Sequence, residues 1–228
     1  MTHLFLIISV LIGACLVVVF KPKQQIIRLF LAFSGAYLLA ITVSHLLPEI
    51  YRSNLASSEN NTNIGLFILI GIIVQSILES FSKGAEHGHI HLDKNSNKFS
   101  WTLFISLSIH AFSEGIPVGY ADNNSLLWAI CIHKIPIGVV LMTFLLHDKQ
   151  SKKQGYLFIL LFSLMSPIGA ILSEKIPLFI IYHQEITAIT IGIFLHISTI
   201  ILFESSKNHK FNYSKFISIV LGMALAFL

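Results

Sequence analysis

Long apolar runs alternate with short polar islands along the whole chain, and that alternation predicts eight hydrophobic segments. They run Leu4–Phe20, Gln25–Pro48, Ile64–Phe81, Phe99–Tyr120, Ser125–Leu146, Tyr156–Leu172, Gln184–Phe203 and Phe211–Leu228. Most approach the roughly 20 residues that a helix needs to cross about 30 Å of hydrocarbon. The first run lacks a basic stretch before it and a small-residue cleavage pattern after it, so it reads as a span rather than a signal peptide. The expected fold is an all-α integral membrane protein with eight transmembrane helices, the chain 1–228 forming one membrane domain.

Charge supplies the orientation. Twelve of the 15 lysines and arginines fall on alternate loops, those beginning at Lys21, Lys83, Lys149 and Lys207. The opposite side holds only Arg52 and Lys175, and Lys134 lies within a span. Basic residues concentrate on the cytoplasmic face, so both termini are expected on the extracytoplasmic side, in a plasma (inner) membrane. Composition agrees: 54% hydrophobic and 11% charged residues, with a mean hydropathy of +0.78, exclude an ordinary soluble domain. The net charge of +4 comes from scattered loop residues, which argues for membrane orientation and against nucleic acid as a partner. Cys15 and Cys131 sit far apart in apolar runs and supply neither a disulfide framework nor a CxxC metal motif.

Ionisable residues inside two neighbouring spans change the picture from a generic membrane protein to one with a site. His110 and Glu114 are four residues apart, and so share one helix face. His133 and Lys134 lie in the returning span. By helical rise, His110 lies roughly 15 Å, Glu114 roughly 9 Å and His133 roughly 12 Å below the outer surface, so the three can meet near one level. Two imidazoles and a carboxylate suit zinc or another first-row divalent ion. Pro117 and Pro136 deprive the Ser113 and Ile132 carbonyls of their helical partners beside these ligands. Either segment alone is explained as well by an interhelical hydrogen bond; two at matched depth favour a metal site. The inner loop at about 82–98 adds His87, His89 and His91 between Glu86 and Asp93, a chelating pattern. His45 and Glu49, near the outer end of the second span, are candidates for cation collection at an entrance. Pro48 between them makes a helix-end cap an equal alternative. His196 reads equally as a packing or a pathway residue.

The run His110-Ala111-Phe112-Ser113-Glu114-Gly115 followed by His133-Lys134-Ile135-Pro136-Ile137-Gly138 resembles the ZIP (Zrt-, Irt-like protein) family of divalent-metal transporters. The family's fourth and fifth helices carry H-x-x-x-E-G and P-x-G motifs. Further stretches resemble other helices of the family in the same order. They are Ser44-His45-Leu46-Leu47-Pro48-Glu49, Leu78-Glu79, Ser166-Pro167-Ile168-Gly169-Ala170 and Gly192-Ile193-Phe194-Leu195-His196. The resemblance implies movement of zinc, with iron or manganese as alternatives, toward the cytoplasm. It implies an elevator-like shift of helices one, four, five and six against the rest, and a primary site of His110, Glu114 and His133. No cofactor beyond the transported ion is expected. The expected partners are that ion, the lipid bilayer and, in a homodimer, a second copy.

Family members often hold two metals here, and this chain departs from the second site. Ala111, Lys134, Ile137 and Ser166 stand where the family tends to place ligands. Two readings of Lys134 follow. Its ammonium stands in for the second metal and balances Glu114, or it snorkels away toward the outer water layer. A single-metal site follows in both. Rival functions are a membrane-embedded zinc hydrolase and a metal-sensing homologue that does not transport. The hydrolase needs three firm ligands, an open water position and usually a separate base, whereas only two histidines and one carboxylate converge here. The chain is therefore not expected to be an enzyme.

Overall fold

The computed structural model describes residues 1–56, 63–82, 84, 101–120, 124–147, 152–203 and 212–227. Every element among them is helical. Helix α1 (Thr2–Phe20) ends where Lys21 turns left-handed, with φ at 45° and its N–H on the Val17 carbonyl, just ahead of Pro22. Proline disfavours a helical conformation in the residue before it, which explains the stop.

Helix α2 (Gln24–Ile41) runs straight into a π-helical turn (Thr42–Leu46) and on as α3 (Leu47–Ala56). The sequence predicts an end near Pro48, and the helix instead continues through it. The physical reason is the π turn. The Leu47 N–H reaches back five residues to the Thr42 carbonyl, and this wider coil makes room for a ring that would strike the carbonyl four residues earlier. Pro48 therefore does not cap the helix that carries His45 and Glu49.

The remaining elements are α4 (Ile64–Ser82), α5 (Trp101–Gly115) with a 3-10 turn (Ile116–Gly119), α6 (Asn124–His147), α7 (Lys152–Ser163), α8 (Met165–Lys175), α9 (Pro177–Ile181), α10 (His183–Phe203) and α11 (Tyr213–Leu225). Among the described residues, six stretches are long and apolar enough to cross a membrane. They are Thr2–Phe20, Gln24–Leu55, Ile64–Ser82, Ser125–Leu146, Lys152–Lys175 and His183–Phe203. The expected fourth and eighth segments correspond to the 15-residue α5 and the 13-residue α11, both shorter than a full span.

Packing divides the helices into two groups. In one, α1 lies along α6, α5 along α8, and α7 against both α1 and α6. In the other, α4 lies along α10, and α2 along both α11 and α10. Glycine makes the closest approaches. A Cβ on Gly13 would strike the Ile135 carbonyl oxygen and one on Gly138 the Val10 carbonyl, joining α1 to α6 reciprocally. Gly115 and Gly169 do the same for α5 and α8, and Gly71 and Gly192 for α4 and α10. Small residues let helix backbones meet in this way where no hydrophobic drive exists between helices. Among the described glycines, each such backbone collision falls inside one group. The seam between groups is formed mainly by α2 against α6, α4 against α5, and α10 against the 3-10 turn.

Candidate metal centre

Helices α5 and α6 supply the centre, although each packs mainly elsewhere, α5 on α8 and α4, and α6 on α1 and α2. Their side chains bridge the space between them. Successive turns of α5 carry His110 and Glu114, so both project to one side. From α6, His133 reaches the same point, and all three are buried. The Glu114 Oε1 atom lies 3.1 Å from His110 Nε2 and 3.9 Å from His133 Nε2. The imidazole planes stand nearly perpendicular, at 87°, with centroids 6.3 Å apart. One donor atom from each residue falls within 4.8 Å of the other two. Two imidazole nitrogens and one carboxylate oxygen at that spacing match the donor set that zinc and similar ions accept.

The second carboxylate oxygen is already engaged. Lys134 Nζ donates a hydrogen bond to Glu114 Oε2 at 2.8 Å, and the lysine is only 1% exposed. Of the two orientations that the sequence allows, the side chain takes the inward one. The same ammonium lies 5.9 Å from the ring centroid of Phe162 on α7, over its face. A buried ion pair is tolerable only when both charges keep close partners, and here the ammonium has a carboxylate on one side and an aromatic face on the other.

The other positions at which the sequence departs from the pattern it resembles are taken up by packing. Ala111 and Ile137 are buried and apolar. The buried Ser166 hydroxyl donates a hydrogen bond to the Ala111 backbone carbonyl, tying α8 to α5. Ser166 thus serves a helix contact at the place where the resemblance leads one to expect a carboxylate.

Residues named from the sequence but lying elsewhere fall into three cases. His45 and Glu49 are exposed, and they do not join the triad's cluster. His87, His89 and His91 lie outside the described residues. His196 Nε2 meets Glu79 Oε2 at 2.7 Å, linking α10 to α4. Sequence reasoning missed Phe162, and nothing marks it out among 18 phenylalanines.

Comparison with known proteins places the chain in a family. The family model described as ZIP zinc transporter matches residues 82–228, which include α5 and α6. The chain belongs to the ZIP family. That is a family of transporters and not of enzymes. Among its curated relatives, zinc transporter ZIP1 of Danio rerio is 33% identical over 93 residues, covering 38% of this chain and 30% of the relative. Protein zntD of Dictyostelium discoideum is 36% identical over 111 residues, 41% of this chain and 16% of the relative. Zinc transporter ZIP9 of Micropogonias undulatus is 26% identical over 120 residues, 48% of this chain and 38% of the relative. The matched stretch thus spans well under half the length of each of these relatives.

Proposed function

We propose that this protein carries a divalent transition-metal cation across the membrane into the cytoplasm, through a single-metal site made by His110, Glu114 and His133. The observation that carries the reading is the buried convergence of those three side chains from two helices, with donor atoms within 4.8 Å. Zinc is the first candidate, because its preferred ligands are nitrogen and carboxylate oxygen in a small coordination shell. The names of the relatives point the same way, and iron and manganese are the alternatives.

In this reading α5 with its 3-10 turn and α11 complete eight spans, and both termini lie outside. Residues 1–228 act as one transmembrane domain in the plasma (inner) membrane, alone or as a homodimer. The group containing α1, α5, α6, α7 and α8 moves as a unit past the group containing α2, α4, α10 and α11. Glycine contacts hold each group together internally, and their absence from the seam among the described glycines favours sliding there. Lys134 takes the place of a second metal by balancing the Glu114 charge. His45 and Glu49 gather cations at the entrance, and the His87, His89 and His91 loop receives them on the cytoplasmic side.

The test is uptake of zinc, iron and manganese into proteoliposomes by the intact protein beside His110→Ala. Zinc uptake that the variant loses supports the reading. Metal binding without uptake would favour the metal-sensing alternative, and equal uptake by both proteins would exclude the site.

A further inference from the structure

Lys134 has two partners, not one, and the second has no role in holding a metal. The ammonium touches Glu114 Oε2 at 2.8 Å and lies 5.9 Å from the Phe162 ring centroid. Lys134, Phe162 and Glu114 are all at most 1% exposed. A divalent ion bound by Glu114 through Oε1 brings two positive charges close to this ammonium. Like charges at such range in a dry site repel strongly. The lysine cannot reach bulk water without unpacking α6 from its neighbours. The Phe162 face is a favourable surface already beside it, and an aromatic face attracts a cation through its quadrupole, most strongly when both are desolvated.

We propose that Lys134 is a tethered cation that competes with the metal for Glu114, and that Phe162 is the seat onto which its ammonium shifts when metal binds. The proposal rests on the reading of His110, Glu114 and His133 as the metal site. In the empty protein the ammonium neutralises Glu114. In the loaded protein it withdraws toward the ring, close enough to return when the metal leaves. Phe162 then sets the metal affinity without touching the metal. It acts through Lys134, so it is a positioning residue.

The experiment is a double-mutant cycle read by equilibrium zinc and cadmium binding to the purified full chain at one fixed pH, using wild type, Lys134→Met, Phe162→Leu and the double variant. Lys134→Met removes the competitor. It is expected to bind zinc on the order of tenfold or more tightly, the scale on which a unit charge at this range moves a neighbouring charge equilibrium. Phe162→Leu removes the seat while preserving bulk. It is expected to weaken binding roughly two- to thirtyfold, the span of a cation–π contact from exposed to desolvated. In the double variant the Phe162 effect should vanish, because no ammonium remains to be seated.

A purely structural role for Phe162 would weaken binding equally with and without the lysine, and that result overturns the proposal. So does an unchanged affinity in Phe162→Leu, or a Lys134→Met protein that binds no tighter than wild type. If Lys134→Met does not fold, Lys134→Gln, which is neutral but still hydrogen-bonds Glu114, takes its place with the same expectations. His110→Ala runs alongside as a separate arm. Wild-type zinc affinity in that variant would show that the metal sits elsewhere, which is failure of the underlying reading and not of the lysine shift.

Discussion

The Ser166 hydroxyl donates its hydrogen bond to the Ala111 carbonyl, so α8 and α5 meet at two of the positions where the chain departs from the two-metal pattern it resembles. With Ile137 buried on α6 and Lys134 on Glu114, none of the four departing positions offers a carboxylate or an imidazole. The wild-type chain is therefore expected to hold one metal between α5 and α6. Lys134→Asp combined with Ile137→Glu replaces a cation and an alkyl group by two carboxylates, which repel each other unless a cation binds. Metal content per chain, measured on purified protein, should rise toward two in the double substitution. Two metals in the wild type would refute the closed second site.

Loss of a ligand and loss of charge balance are separable at Glu114. His110→Ala, His133→Ala and Glu114→Ala should each weaken metal binding by more than about a hundredfold, since even the partners behind metal ligands are worth about 10–100-fold. Only Glu114→Ala also leaves a buried lysine without its carboxylate, a change that costs about 3–5 kcal/mol when one member of a buried pair is removed. Its thermal unfolding in detergent without metal should fall well below that of His110→Ala. Adding Lys134→Met to Glu114→Ala should recover most of the loss without restoring metal binding. Equal stability of Glu114→Ala and His110→Ala would mean that the ion pair contributes little.

The triad was legible because its signal is local: a four-residue spacing on one helix, and a histidine at matched depth on the returning one. Lys134 was legible as a question, since charge and depth gave two orientations and only packing chooses between them. Phe162 was not legible. Its partner is 28 positions away on another helix, and aromatic residues are abundant on every membrane helix of the chain. The π turn before Pro48 escaped for a related reason. Proline marks a lost hydrogen bond, but whether a helix stops or widens depends on the tertiary contacts around it.

The inner-loop histidines are expected to act apart from the membrane centre. Replacing His87, His89 and His91 together by Ser should leave metal bound at His110, Glu114 and His133. The change should appear in the release of metal from the cytoplasmic side. The check is stoichiometry in purified protein beside the efflux rate from preloaded vesicles. An empty membrane site in the triple variant would place these residues in the centre itself.

Hydrogen bonds cross the seam between the helix groups. The Ser106 hydroxyl of α5 donates to the Leu78 carbonyl of α4 at 2.6 Å, and the Tyr120 hydroxyl beside the 3-10 turn meets the Thr187 hydroxyl at 3.1 Å and donates to the His183 carbonyl at 3.4 Å. If the groups slide during transport, these bonds must break in each cycle, whereas the Gly115 contact with Ser166 stays intact inside its group. Tyr120→Phe removes the two crossing bonds of that hydroxyl and little else. A typical hydrogen bond contributes about 0.5–1.5 kcal/mol net, so with two lost the transport rate should change by no more than roughly a hundredfold while equilibrium metal affinity stays near wild type. Gly115→Ala should behave in the opposite way. Its new methyl group collides with the Ser166 carbonyl, and overpacking of this kind typically costs about 1–3 kcal/mol. Thermal stability should drop, and metal binding should drop with it, because Glu114 is the adjacent residue. The measurements are uptake rate, zinc affinity and melting temperature for both variants. A Tyr120→Phe protein that loses affinity but not rate would show that the Tyr120 hydrogen bonds shape the site and do not lie on a moving seam.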